Sequence, residues 1–208
     1  MANGPGERFV LWVQGCPKRC PGCINPDMQP MIARHLVPVG EMADRIRSVP
    51  GLEGVTYTGG EPMAQARPLA LLSELLRPCG LTIVCYTGCT LEELAAAGDP
   101  WVRRLLGNVD ILIDGPYLRE EAAKLLWRGS RNQRVLFLTD AYRRLADEVD
   151  RPVSEVEFTV TAQGFTATGI WPEGLLERLR DALRARTGGD RTEGDSGDGA
   201  SGQSAPHP

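Results

Sequence analysis

The sequence predicts an α/β fold, a partial (open) parallel β/α barrel of about six units. Strand-like and helix-like segments alternate through most of the chain, which favours a mainly parallel sheet with the helices outside it. About five or six such units are too few for a complete barrel of eight. Segments with chemically distinctive residues follow several predicted strands. Because ligands of such folds bind where parallel strands end, we expect those segments to meet at one rim.

The first half of the chain supplies three predicted strands and three predicted helices. The strands are a short buried strand RFVLWV at 8–13, GVTYT at 54–58 and LTIVCYT at 81–87. The helices are VGEMADRIRSV at 39–49, QARPLALLSELL at 65–76 and TLEELAAAG at 90–98. The second helix tolerates Pro68 because a proline in the first turn gives up no helical hydrogen bond. Thr90 and Gly98 suit the start and the end of the third helix.

The second half supplies two further strands, VDILIDG at 109–115 and RVLFLT at 134–139. The segment EVEFTVTAQGFTATGI at 155–170 alternates and turns near Gly164, which is typical of a hairpin. PEGLLERLRDALRAR at 172–186 is predicted to be a closing amphipathic helix. Residues 187–208 are rich in Gly, Ser and Asp and lack large apolar side chains. We therefore expect one domain at 1–186 and a disordered tail at 187–208.

Charge and composition exclude some classes of function. The formal net charge of −4 gives no electrostatic footprint for a nucleic acid. The amino terminus has no apolar run long enough for a signal peptide, and no stretch of about 20 apolar residues follows, so we expect a cytoplasmic protein without a membrane partner. Thiols stay reduced in that compartment, so clustered cysteines more often bind metal or carry out chemistry than form disulfides.

Half of the six cysteines lie in the segment QGCPKRCPGCINP, residues 14–26. They are Cys16, Cys20 and Cys23. Their spacing would suit one face of a helix, but Pro17, Pro21 and Gly22 oppose helical structure. The segment is therefore predicted to be a loop whose backbone can wrap around a ligand.

Three kinds of site are compatible with such thiols. A disulfide would leave one of the three cysteines over. A structural zinc site would need a fourth ligand, which His35 or Cys89 could supply. A [4Fe–4S] cluster takes one thiolate for each iron, so three thiolates leave one iron open to a substrate or cofactor, as at catalytic zinc sites.

The pattern CxxxCxxC after a first strand resembles the signature of the radical S-adenosylmethionine (SAM) superfamily, and TGGEP at 58–62 resembles its SAM-binding segment. The resemblance implies a partial barrel of the radical SAM type, with a [4Fe–4S] cluster and SAM as cofactors. It also implies that the open iron chelates the amino and carboxylate groups of SAM. One electron from the cluster would then cleave a sulfonium C–S bond and release a 5′-deoxyadenosyl radical.

Further segments narrow this resemblance. GPGERFVLWVQGCPKRCPGCINP is similar to the start of anaerobic ribonucleotide reductase activating proteins and, more loosely, of pyruvate formate-lyase activating enzymes. The segments that resemble later parts of the same activating proteins are YTGCTLEEL at 86–94, VDILIDGPYL at 109–118, WRGSRNQRV at 127–135 and TGIWP at 168–172. The likeness runs from Gly4 to Pro172. It implies a radical SAM oxidoreductase that forms a glycyl radical in a larger protein partner and receives its electron from a flavodoxin or ferredoxin.

The resemblance also implies roles for individual residues. The cluster ligands, and with them the catalytic residues, would be Cys16, Cys20 and Cys23. The residues on the adenine side of SAM would be Gly22 and Ile24. The residues that hold its methionyl part would be Gly59, Gly60 and Glu61. The candidates for contacts to the ribose or to the substrate at the rim, each at the end of a strand, are Thr87 and Asp114.

The chain departs from the resemblance at a few positions. Many superfamily members carry an aromatic residue before the last cysteine, where this chain and the activating proteins have a small one, here Gly22. The activating proteins often have a tyrosine after that cysteine, whereas this chain has Ile24, so adenine would pack on an aliphatic side chain. Outside the motif, Cys79 and Cys85 are predicted to be buried fillers, and Cys89 is expected on the rim.

Two other functions stay open at this point. A radical SAM enzyme could instead modify a peptide or a small molecule in a biosynthetic pathway. A non-catalytic zinc or iron–sulfur module used for interaction would need neither SAM nor an electron donor. The basic segment with Arg128, Arg131 and Arg134 is either a solvated loop or a docking site for an acidic patch on a protein partner.

Overall fold

A computed structural model describes residues 2–153, 156–161, 164–169, 174–175, 177–178 and 181–182. The chain divides into two units, Met1–Trp171 and Pro172–Pro208, and the sheet and its helices belong to the first. Most of the predicted helix at 172–186 and all of the predicted tail at 187–208 lie outside the described residues.

The described residues form nine strands, arranged in one five-stranded sheet and two hairpins. The strands are β1 Arg8–Val13, β2 Gly54–Gly59, β3 Thr82–Tyr86, β4 Ile111–Asp114, β5 Ala122–Leu125, β6 Arg128–Ser130, β7 Arg134–Phe137, β8 Val156–Thr161 and β9 Gly164–Gly169. The large sheet has the order β1-β2-β3-β4-β7, with three parallel pairings and an antiparallel one between β4 and β7. The hairpins are β5–β6 and β8–β9, and the second confirms the predicted hairpin.

The described residues also form four α-helices, which bury their apolar side chains against one face of the sheet. The helices are α1 Val39–Arg47, α2 Ala66–Leu76, α3 Leu91–Ala97 and α4 Pro100–Leu106. Alternate side chains of the central strands share a core with them, as the period of two in a strand requires, and these include Tyr57, Ile83 and Leu112. No helix in this part of the chain is long and apolar enough to cross a membrane.

The opposite face of the same sheet is also covered. Val84, Ile111 and Ile113 pack there with Trp127 and Tyr142, which come from the chain after β4. Burial on both faces is the reason why the central strands read as continuous apolar runs.

Arg8 at the start of β1 ties together the amino-terminal ends of three strands. Its guanidinium donates hydrogen bonds to the hydroxyl of Thr56 (2.8 Å), the carbonyl of Val55 (2.7 Å) and the carbonyl of Thr82 (2.9 Å). All of these acceptors are neutral, and burial lowers the pKa of Arg8. Among the described residues no carboxylate accepts a hydrogen bond from this buried cation, so its charge depends on these neutral acceptors. This end of the sheet lies away from the strand ends where ligands bind.

Most predicted elements are confirmed, and four differences have physical causes. The segment 8–13 is an edge strand with only Val13 buried, because it pairs with β2 alone among the described strands. Helix α4 and hairpin β5–β6 were not predicted, since both are short. Strand β7 runs antiparallel to its neighbour, and a strand pattern carries no information on direction. Closure of the sheet into a partial barrel of about six units stays a prediction.

Candidate active site

The three clustered cysteines lie in an irregular loop directly after β1, here called the cysteine loop, residues 14–26. Backbone hydrogen bonds to the residues that directly follow it close the loop, because the N–H groups of Gly15 and Cys16 donate to the carbonyls of Met28 (2.8 Å) and Gln29 (3.0 Å). The Gln14 side chain adds a hydrogen bond to the carbonyl of Pro30 (2.8 Å). These bonds hold the loop without any regular secondary structure, as the prolines predict.

The thiols of this loop are free and only partly covered. Cys16, Cys20 and Cys23 are all half-buried and unpaired by disulfides. Cys20 and Cys23 are joined by a tight turn in which the Cys23 N–H donates to the Cys20 carbonyl (3.2 Å), and Gly22 inside it has a left-handed φ of +77°. The Asn25 N–H donates to the Cys23 sulfur, with 3.4 Å between the two heavy atoms.

This donor set fits a [4Fe–4S] cluster better than a single ion. Among the residues that the structure describes, no group of three or more His, Cys, Asp or Glu side chains is placed to hold one metal ion. The zinc alternative with His35 or Cys89 as fourth ligand therefore gains no support. A cluster makes a different demand, because each thiolate binds its own iron and the sulfurs stay apart. Three unpaired, half-buried thiols on an irregular backbone are the kind of donor set that such a cluster takes, and the assignment of each ligand stays a prediction.

Residues 59–62, here called the GGEP loop, pack backbone to backbone on the cysteine loop. The Gly60 N–H donates to the Val13 carbonyl (2.7 Å), and the Glu61 N–H donates to the Gly15 carbonyl (2.8 Å). A Cβ atom on Gly60 would lie 2.3 Å from the Gly15 carbonyl oxygen, and Gly59 has a φ of +100°. Only glycine allows both the backbone conformation and this close approach. The two motifs are thus adjacent, as predicted.

The Glu61 side chain is only 3% exposed and has three hydrogen-bond donors around its carboxylate. The Met63 N–H (2.9 Å) and the Thr87 hydroxyl (2.8 Å) donate to Oε1, and the Gly88 N–H (2.8 Å) donates to Oε2. Burial raises the pKa of the Glu61 carboxyl, and these hydrogen bonds oppose that shift. The carboxylate therefore fixes the GGEP loop to the end of β3. Its predicted contact with the methionyl part of SAM stays a prediction.

The turn after β3, residues 87–89, also touches the cysteine loop. Lys18 reaches over Gly88, whose Cβ would lie 3.3 Å from Lys18 Cγ, and its ammonium is 3.5 Å from the carboxylate of Glu93. Cys89 lies beside Lys18 and Thr87, and burial, reinforced by the Glu61 charge, raises the pKa of the Cys89 thiol. Lys18 was not predicted to be a site residue, although its place between two motif cysteines was a signal.

Asp114 closes the rim at the end of β4. It is fully buried, and its carboxylate accepts hydrogen bonds from the Leu91 N–H (2.8 Å) and from the guanidinium of Arg134 (2.9 Å to Nε). Arg134 also pairs with Glu92 (2.7 Å). Next to Asp114, the Gly115 N–H donates to the Cys89 carbonyl (3.1 Å). The structure thus brings together four loops: the cysteine loop, the GGEP loop, the turn 87–89 and the segment that follows β4. The predicted ribose or substrate contacts of Thr87 and Asp114 stay predictions.

Three other residues that were discussed from the sequence lie at different depths in the structure. Ile24 is 70% exposed at the rim, and Cys85 is buried as predicted. Cys79 is exposed, so the prediction that it is a buried filler was wrong, because it follows the end of α2 in a surface turn.

The basic segment is mostly engaged internally. Arg128 is buried and donates to the carbonyls of Gln133 (3.2 Å) and Val149 and to the carboxylate of Asp150 (2.7 Å). Arg134 is held by carboxylates, as described above. Arg131 is the most exposed of the three, and whether this segment is a docking site for an acidic patch stays a prediction.

Comparison with known proteins agrees with this geometry. The model of the 4Fe-4S single cluster domain family matches residues 2–136, more than half of the chain. The anaerobic ribonucleoside-triphosphate reductase-activating protein of Vibrio cholerae is 36% identical over 145 residues, which cover 64% of this chain and 89% of that protein. Proteins of the same name from Escherichia coli K12 and from Enterobacteria phage T4 are 33% and 34% identical, over 91% and 88% of their lengths. The chain therefore belongs to the 4Fe-4S single cluster domain family and is a radical SAM iron–sulfur enzyme of the activating-protein type.

Proposed function

We propose that this chain activates a larger ribonucleoside-triphosphate reductase by forming a glycyl radical on it. The names of the relatives support the proposal, since each is the activating protein of such a reductase. The observation that carries it is the backbone contact between the cysteine loop and the GGEP loop. That contact places a three-thiol site next to a candidate SAM segment at the carboxyl ends of the strands, where ligands of α/β folds bind.

Different residues at the carboxyl ends of the strands would bind the cluster, bind SAM and position the loops. Cys16, Cys20 and Cys23 would hold the cluster, and the backbone of Gly59 and Gly60 would receive the methionyl part of SAM. When bound, the cluster and SAM supply a one-electron cleavage that yields methionine and a 5′-deoxyadenosyl radical able to take a hydrogen atom from a glycine of the partner. Glu61 would hold the GGEP loop in register with the cysteine loop through its three internal hydrogen bonds.

The exposed surface beside the cysteine loop suits a protein substrate. Ile24, Met31 and Leu36 are 70%, 63% and 84% exposed, although each is large and apolar. Contiguous exposed apolar surface marks places that another protein covers, and we propose that these side chains belong to such a surface. A docked reductase would cover them and exclude water from the site, which protects a reactive radical.

The electron would come from reduced flavodoxin or ferredoxin in the cytoplasm. Arg19 lies exposed between two of the motif cysteines and offers a positive charge to an acidic donor. Brief docking of this kind needs only a small interface.

The test combines assembly, cleavage and radical formation. Protein reconstituted anaerobically with iron and sulfide would be mixed with reductant, SAM and the reductase. We expect 5′-deoxyadenosine and a glycine-centred doublet in the EPR spectrum of the reductase. Cys20→Ala should abolish both the cluster and the cleavage, whereas Cys79→Ala, a control at an exposed cysteine outside the loop, should change neither.

Two results would count against the proposal in different ways. Cleavage of SAM without a radical on the reductase would refute activation and favour a radical SAM enzyme acting on a peptide or small molecule. A full complement of iron in Cys20→Ala would refute the ligand assignment itself.

A further inference from the structure

The guanidinium of Arg119 lies directly against the cysteine loop. A Cβ atom placed on Gly22 would lie 2.9 Å from both Nε and Nη2 of Arg119 and 3.3 Å from its Cζ. Gly22 sits in the turn between Cys20 and Cys23. The Arg119 side chain makes no hydrogen bond or ion pair with any other residue that the structure describes. A planar cation with no hydrogen-bond partner in the described part of the chain therefore occupies the space where a larger residue at position 22 would place its side chain.

The backbone that carries Arg119 is fixed by a brace, residues 130–133. Two of its side chains hold the backbone of residues 115 and 116. The Asn132 amide donates to the Pro116 carbonyl (2.7 Å), and the Gln133 amide donates to the Gly115 carbonyl (3.2 Å). The brace also acts through its backbone, since the Arg131 N–H donates to the Glu121 carbonyl (2.9 Å). The backbone of segment 115–121 is thus held at several points, which places the Cα atom of the exposed Arg119 within reach of Gly22.

We propose that Arg119 binds the adenine of SAM by stacking its guanidinium on the base. The inference rests on the proposed function and on the role that the radical SAM resemblance implies for Gly22, on the adenine side of SAM. A guanidinium is planar and stacks on aromatic faces, and it attracts a π-system through its charge. Neither Gly22 nor Ile24 offers adenine a flat surface, so Arg119 supplies the one that the cysteine loop lacks.

The test measures binding to the reconstituted protein and does not depend on turnover. Equilibrium dialysis under anaerobic conditions would give the affinity for SAM and, separately, for 5′-deoxyadenosine in the presence of methionine. Arg119→Gln should weaken both by about 2-fold to 30-fold, the range of a cation–π contact. Iron and sulfide content should stay at the level of the unaltered protein, which shows that the fold and the cluster are intact.

Two further variants separate stacking from charge. Arg131→Gln removes the same charge from an exposed arginine of the brace and should leave both affinities unchanged. Arg119→Lys keeps the charge but loses the planar group, so its affinities should stay below those of the unaltered protein. Full recovery with lysine would overturn stacking.

The remaining outcomes are distinct from a failure of the proposed function. Loss of SAM affinity with unchanged 5′-deoxyadenosine affinity would place the contact on the carboxylate of SAM and overturn the inference. Equal affinities in Arg119→Gln and the unaltered protein would also overturn it while leaving the proposed function intact. An unaltered protein that assembles its cluster but binds no SAM would refute both.

Discussion

Replacing Gly60 by alanine tests whether the backbone contact between the two motif loops holds the site together. The new Cβ atom would lie 2.3 Å from the Gly15 carbonyl oxygen and 2.9 Å from the Met28 carbonyl oxygen, both in the backbone. Ordinary contact begins at 3.4 Å, so the loops would have to part by about 1.1 Å. Unlike the end of a flexible side chain, these backbone atoms cannot move aside at little cost.

The protein can accommodate the new methyl group by separating the two loops or by overpacking them, and both are unfavourable. If the loops part, the hydrogen bonds from Gly60 to Val13 and from Glu61 to Gly15 are lost, at about 0.5–1.5 kcal/mol each. If they stay together, the overpacking costs about 1–3 kcal/mol. We therefore expect the free energy of unfolding to fall by about 1–3 kcal/mol. Because the loop is displaced where the thiols lie, the iron content after reconstitution should also fall.

The assay is equilibrium unfolding in urea of the protein without its cluster, followed by iron and sulfide analysis after anaerobic reconstitution. Gly40→Ala is the matched control, because a Cβ atom there meets nothing within 4 Å and the residue lies near the start of α1. Its stability should be unchanged or higher by up to about 1 kcal/mol. If Gly60→Ala unfolds at the same urea concentration as the control and takes up the same iron, the reasoning about this contact is refuted.

Three further predictions concern the support of the site. Asp114→Ala removes a fully buried acceptor from Arg134 and should lower the free energy of unfolding by about 1.5–3 kcal/mol in a urea titration; an unchanged midpoint would contradict this. Arg8→Leu leaves buried acceptors unsatisfied and should lower the free energy of unfolding by about 3 kcal/mol. The iron content per folded molecule should stay the same, since Arg8 lies at the opposite end of the strands from the cysteine loop. Loss of iron without loss of stability would contradict this prediction. Burial raises the pKa of the Cys85 thiol well above its ordinary value of 9.0, so the folded chain retains a proton that the unfolded chain releases; stability should fall as pH rises above about 9, and Cys85→Val should flatten that fall, which unfolding curves at successive pH values would show.

The local elements could be predicted because their signals are local. Thr90 and Glu93 form a capping box in the structure, and Gly98 ends α3 in a left-handed conformation, as the sequence indicates. Helix α4 has equivalent signals, since Asp99 caps it and Pro100 opens it, but its seven residues give too short an apolar pattern to recognise.

The parts that escaped prediction depend on partners far away in the sequence. The segment 8–13 reads as a buried strand because its residues are apolar, yet a pattern does not reveal whether a strand has neighbours on both sides. In the same way, GGEP identifies Glu61 as a site residue but not its role, because its donors Thr87 and Gly88 come from the end of another strand. Arg119 was missed since nothing in its own segment points to Gly22.

The four loops behave as one physical unit because each is bound to the next. Glu61 joins the GGEP loop to Thr87 and Gly88, and Cys89 accepts a hydrogen bond from Gly115, next to Asp114. A ligand that restricts the motion of the cysteine loop should therefore also restrict the end of β4, because these hydrogen bonds connect the two. A ligand that binds the folded state alone stabilises the whole of it. Assembly of the cluster should for this reason further stabilise the segment that carries Arg119, although hydrogen bonds to its backbone already hold that segment.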